Sequence, residues 1–112
     1  MYKVIKIGEK DVPMLPVASS DVYYNRLFRE NPLSVMADKK ADNGQKTKLA
    51  FGMGFIMAKF AETKDRKAML QLSFDDYLDW LEQFSYGDYI KAAPEILMLY
   101  YGQKAPTVTE KN

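Results

Sequence analysis

Residues 2–7, "YKVIKI", alternate apolar and lysine positions imperfectly in a β-branched run that Gly8 breaks, a period that predicts a strand. A second extended run, "VPMLPVA", carries Pro13 and Pro16, which donate no amide and confine it to a sheet edge. Residues 2–17 therefore read as a β-hairpin. The period then lengthens. Ser19, Ser20 and Asp21 are capping candidates for a helix over 20–30, with Val22, Tyr23 and Leu27 at helical spacing and Asn31-Pro32 as a stop. The polar stretch 38–45, with its Asn43-Gly44 turn signal, reads as a loop. A helix over 46–62 follows, and the charged "AETKDRK" beyond it reads as a frayed end or a second loop. Ser73 and Asp76 approximate a capping box for a helix over 73–85. At 100° per residue its Phe74, Tyr77, Leu78, Leu81 and Phe84 share one face, opposite Asp75, Asp76, Asp79 and Glu82. A last helix spans 88–102, with Pro94 in an early turn or at a kink and Gly102 as its stop, and 103–112 is a loose polar tail. The pattern is that of one α+β domain over 1–102, predominantly helical: a hairpin and a small bundle of about four helices.

"LAFGMGFIMAKF", residues 49–60, is the most apolar stretch, with Gly52 and Gly54 at its centre. Neither glycine belongs to a Walker loop or a dinucleotide fingerprint, which need further glycines or a Gly-Lys-Ser/Thr ending. The uninterrupted apolar run is too short to cross a bilayer. As a helix it is apolar on two sides: Leu49, Met53, Ile56, Met57 and Phe60 fall in one arc, and Phe51 and Phe55 point the other way. Two glycines cost helix propensity, so their presence indicates close approach of another element. One reading makes this the central core helix. A sharper one assigns Phe51, Phe55, Met53 and Met57, with Gly52 and Gly54, to contact with a partner or a second copy, methionine being adaptable in shape.

Composition narrows the chemistry. The chain has 112 residues, enough for one core, and 16 basic against 15 acidic residues leave a net charge of +1. It shows no basic stripe of the kind that nucleic-acid binders use. With no cysteine and no histidine, disulfides, the usual zinc sites and Ser/His or Cys/His nucleophiles are excluded. The amino end lacks the features of a signal peptide, so a cytoplasmic setting is expected. The carboxylates of 75–82 could in principle hold a cation or act as an acid/base pair, the basis of a weak hydrolase alternative, but helical acids without a supporting cavity are ordinarily a solvated face. The tyrosines lack the interleaved basic residues of a base-stacking platform. No metal, cofactor or catalytic residue is expected.

The hairpin "YKVIKIGEKDVPMLPVA" running into "SSDVYYNRLF", the helix "LAFGMGFIMAKFAE", and the late "FDDYLDWLEQF" with "PEILMLYYG" together resemble the small tail assembly chaperones of long-tailed bacteriophages and prophages. The resemblance covers most of 2–102 and rests on the order of elements rather than on a strict motif; Pro13 and Pro16 depart from it. It implies a non-enzymatic protein of the host bacterial cytoplasm that binds the tape measure protein, aids assembly of the tail-tube protein around it, and self-associates, with no nucleic-acid or membrane partner. It also implies a longer form made by ribosomal frameshifting. Glu110-Lys111-Asn112 can be encoded by a slippery run of adenines. The alternative of the same class is another small phage or bacterial connector subunit.

Overall fold

Alternation at the amino end becomes an antiparallel hairpin. The computed structural model describes residues 2–40 and 42–104, and in it β1 (Lys3–Ile7) pairs with β2 (Lys10–Met14) in the register Ile7↔Lys10 to Lys3↔Met14. Gly8, at φ +64°, is the first of the two turn residues, the position where a type II′ turn requires glycine. A Cβ there would also lie 2.5 Å from an Asp88 carboxylate oxygen. Ile5, Ile7, Val12 and Met14 are buried on one face of the hairpin, while Val4, Lys6, Asp11 and Pro13 stay exposed on the other. Hydrogen-bonded pairs alternate from the turn-flanking pair Ile7–Lys10, which puts Val4–Pro13 at a non-bonded position. The nitrogen of Pro13 thus faces away from β1, where a donor would only have invited another strand.

Among the described residues six helices follow: α1 (Ser20–Phe28), α2 (Pro32–Ala37), α3 (Asn43–Thr63), α4 (Arg66–Leu70), α5 (Phe74–Leu81) and α6 (Tyr86–Lys104). The hairpin followed by four principal helices is the predominantly helical α+β architecture the periodicity predicts, and α2 and α4 are short additions to it. Both additions begin at signals that the sequence offered as stops or loops. The side chain of Asn31 accepts from the Leu33 amide at 3.0 Å and Pro32 fills the first turn of α2, where its missing N–H costs nothing. Asn43-Gly44 is likewise the first turn of α3, not a loop: Asp42 accepts from the Gln45 amide at 2.8 Å, and the Gln45 side chain accepts from the Asp42 amide at 3.0 Å. "AETKDRK" divides at Lys64, which closes α3, and Asp65 caps α4. At the other end α6 continues past Gly102 to Lys104. Of the tail expected over 103–112, residues 105–112 lie outside the described residues, as does the adenine-run tripeptide.

α3 is the axis of the domain. β2, α1, α2, α4, α5 and α6 all pack against it, and β1 packs on α6. Its glycines admit aromatic side chains on two sides. A Cβ on Gly52 would lie 2.8 Å from Tyr24 Cε2 and 2.9 Å from Phe28 Cε2, both on α1. A Cβ on Gly54 would strike the Tyr89 hydroxyl and come within 3.2 Å of Ile96 Cδ1, both on α6. Each of these closely approaching rings exploits the space a glycine leaves. Tyr89 then donates to the Phe51 carbonyl at 3.0 Å, and Tyr100 donates to Asp21 at 2.8 Å, tying α6 to α3 and to the first turn of α1. Burial raises the Tyr89 phenol well above its ordinary pKa; burial and then the Asp21 carboxylate do the same for Tyr100.

Candidate functional site

α3 sits at the centre of the domain, and this decides the fate of the six contact residues proposed from the sequence. Gly52, Met53, Gly54, Phe55 and Met57 are all buried inside the monomer. They form core, not a surface. Phe55, expected to point outward, is 0% exposed, its ring 5.4 Å from that of Tyr77 and 5.6 Å from Trp80. The reason is physical: α5 covers the side of α3 opposite the Met53/Met57 arc, so a helix apolar all round is enclosed all round. Phe51 alone of the six reaches the edge, half-buried against Tyr89 (centroids 4.2 Å apart) and Tyr86 (5.8 Å).

One apolar surface lies on α5 and the start of α6, among exposed apolar side chains that also include Val22 and Met98 elsewhere. Ser73 and Asp76 form the capping box of α5: Asp76 donates its amide to the Ser73 hydroxyl at 3.1 Å, and its carboxylate accepts from the Ser73 amide at 2.9 Å. This fixes the first turn, and the helix is then rolled onto α3 by Tyr77 and Trp80, its two buried residues. These lie about 60° apart around the axis. Phe74 and Leu78, expected on the inward face, fall on its flank and are 53% and 38% exposed. Leu78 shares an apolar groove of about 270 Å³ with Phe51, Leu81, Phe84, Tyr86 and Tyr89, with Glu82 and Ser85 also lining it. Tyr86 at its edge is 72% exposed. The strip Phe74–Leu78–Phe51–Tyr86 thus crosses the surface from α5 to the start of α6, beside the exposed acids Asp75, Asp79 and Glu82.

Beneath the strip the rings interlock. Phe28, Phe74, Tyr77, Phe55, Trp80, Tyr89 and Phe51 form an unbroken series of ring contacts, with successive centroids no more than 6.4 Å apart. Such pairs stabilise beyond the area they bury, so the strip rests on a stiff base. Tyr77 within it has its phenol pushed up to about 12 by burial, and burial with the nearby Glu30 carboxylate raises Tyr24.

The acids of α5 do not converge: among the described residues no group of three carboxylates could hold a metal ion, and no helix is long and apolar enough to cross a membrane. Phe74, Leu78 and Tyr86 are the surface residues the sequence reading misplaced or passed over. The signal for the first two was Trp80. Centring the buried arc on the largest apolar side chain would have turned Phe74 and Leu78 outward. No protein-family model matches the chain, and no curated protein or solved structure is significantly similar to it.

Proposed function

We propose that this is a non-catalytic binding protein that shields an apolar helix of a partner, in the manner of a phage tail assembly chaperone acting in the bacterial cytoplasm on the tape measure protein ahead of tail-tube assembly. The observation carrying this reading is the uncovered Phe74–Leu78–Tyr86 strip over an interlocked aromatic base. An amphipathic helix laid on it through residues at i, i+3, i+4 and i+7 is the binding mode that suits such a strip. From the exposed fractions, the three side chains offer roughly 300 Å² of largely apolar surface, a gross gain of about 7 kcal/mol. Association itself costs about 4–15 kcal/mol, and a stable interface buries about 800 Å² on each partner. The strip therefore supports a short-lived contact that a competing subunit can displace, as a holding function requires.

The test is chemical cross-linking in cells expressing the chain with the long helical protein of the neighbouring tail genes, which captures a short-lived pair before purification. A cross-linked pair, lost with Phe74→Asp and Leu78→Asp while the circular dichroism spectrum is unchanged, supports the proposal. Cross-linking unaffected by both substitutions, or no capture at all, refutes it.

A further inference from the structure

A second surface, independent of the strip and of the function proposed for it, lies on the other side of α1. Two hollows of about 520 and 740 Å³ share Tyr23 and Leu70 and so form one trough between α1 and the α3–α4 corner. Its lining is mixed: Tyr23, Ile56 and Met69 form a buried floor, with Phe60 half-buried and Leu70 38% exposed, and Ser19 and Asn25 lie among them. Its rims are basic on both sides, with Arg26 and Arg29 along α1, and Lys64, Arg66 and Lys67 along the facing corner.

These five cations are exposed, and among the described residues none is in an ion pair, all three salt bridges being made by other lysines. Among the described residues the one carboxylate lining the trough is Asp65, set among Lys64, Arg66 and Lys67, and the other acids near these cations are bonded to tyrosines. Asp65 accepts from the Lys67 amide, Glu30 accepts from the Tyr24 hydroxyl, and Asp21 accepts from Tyr100. Two of the cations also occupy backbone positions that favour glycine. Arg29 closes α1 at φ 56° and Lys64 closes α3 at φ 48°, the left-handed conformation in which helices ordinarily end on glycine or asparagine. At both ends the chain puts a long cation on the trough instead.

We infer that this trough is a docking site for an acidic amphipathic helix of a partner protein, its apolar residues on the Leu70 side of the floor and its carboxylates against the two basic rims. Charge complementarity selects the sign of the partner. The floor selects a protein over a nucleic acid: Tyr23 is buried and stacks on Phe60 (centroids 6.3 Å apart), whereas strand binding needs exposed ring faces for bases.

The experiment is fluorescence anisotropy of the full chain with three labelled probes: a synthetic helix with leucines at i, i+3, i+4 and i+7 and glutamates flanking them, its lysine-flanked counterpart, and an oligothymidylate. Saturable binding of the glutamate peptide, at least tenfold tighter than either other probe, is expected. Arg26→Glu with Lys67→Glu should weaken it tenfold or more, as should Leu70→Asp alone, with melting curves unchanged. Phe74→Asp should leave it intact, which separates this site from the α5 strip. Equal or tighter binding of the oligothymidylate would overturn the inference in favour of a polyanion site. Indifference to the charge reversal would overturn it outright. Concentration-dependent sedimentation abolished by the same reversal would overturn it by giving the trough to a second copy of the chain.

Discussion

Replacing Gly54 with alanine sets two effects against each other inside one helix. An alanine in a helix interior is about 1 kcal/mol better than glycine, so propensity alone makes the change stabilising. The new methyl, however, lands on the Tyr89 hydroxyl and sits 3.2 Å from Ile96 Cδ1. Tyr89 is 1% exposed, its ring held among those of Phe51, Trp80 and Phe84. Displacing it breaks the 3.0 Å bond to the Phe51 carbonyl, a loss of about 1 kcal/mol with a further 1–3 kcal/mol if the hydroxyl is left buried without a partner. Overpacking adds about 1–3 kcal/mol. Taking the low end of each cost and subtracting the propensity gain, Gly54→Ala is expected to destabilise by about 2 kcal/mol. Tyr89→Phe alone should cost about 1 kcal/mol, the loss of one hydrogen bond. In the double variant the obstructing oxygen is gone, so it should cost less than about 1 kcal/mol rather than the additive sum of about 3. Urea unfolding followed by the fluorescence of Trp80, the single tryptophan, reads this directly, its ring centroid lying 5.5 Å from that of Tyr89. A stabilised Gly54→Ala, or a cycle that closes to within about 0.5 kcal/mol, would refute the claim that Gly54 exists to admit Tyr89.

Phe51 and Phe55 should part company under the same change: Phe55→Glu buries a carboxylate among Tyr77 and Trp80 and is expected to abolish the cooperative thermal transition, while Phe51→Glu should lower the midpoint and keep it. Equal melting curves for the two would show that α5 does not cover α3. The buried phenols make stability fall in alkali. Tyr77 ionises at about 12 in the folded chain against about 10 unfolded, and Tyr24, Tyr89 and Tyr100 are also raised. The stability tied to their neutral form is thus complete below pH 10 and lost as pH rises through and above 10 toward the folded values. Absorbance at the phenolate band should show these four ionising together with the loss of circular dichroism; ionisation of all the tyrosines near pH 10 with the fold intact would contradict their burial.

The hairpin and α5 were legible because local chemistry determines them: a β-branched alternation closed by Gly8, and a serine three residues ahead of Asp76. Misreadings arose where one dipeptide suits two purposes. Asn31-Pro32 has the composition of a stop, yet Arg29 already closes α1 and the pair opens α2, since asparagine suits a helix start and proline its first turn. Asn43-Gly44 has the composition of a turn, yet Asp42 and Gln45 on either side make a reciprocal cap that holds it helical. The outward placement of Phe55 was beyond local reading altogether. Periodicity reports how wide an apolar arc is, not which neighbour covers it, and only the chain folding back from α4 brings Tyr77 and Trp80 over that side. The trough was divided in the sequence for the same reason, with Arg26 and Arg29 separated from Arg66 and Lys67 by the whole of α3.

The enclosure of α3 also determines where any partner must bind. A helix with apolar residues on every side could serve a partner only by leaving one side bare, and here α1, α5, α6 and β2 between them bury its whole middle from Gly52 to Ala58 and leave Phe51 half-covered. The unpartnered apolar surface is displaced one layer outward, to elements that touch α3 on one side only. α5 is the clearest instance. Its apolar arc runs from Trp80 through Tyr77 to Phe74 and Leu78, wider than the contact α3 can make with one short helix, and the excess is what faces solvent. Had α5 carried polar residues at 74 and 78, the domain would retain the same buried set and the same caps. Phe74 lends its inner edge to the ring series through Phe28 and Tyr77, but about half of it faces solvent beside three acids, which folding alone does not require. The bare halves of Phe74 and Leu78, which lower solubility without adding to the core, are the physical ground for the binding role proposed for them.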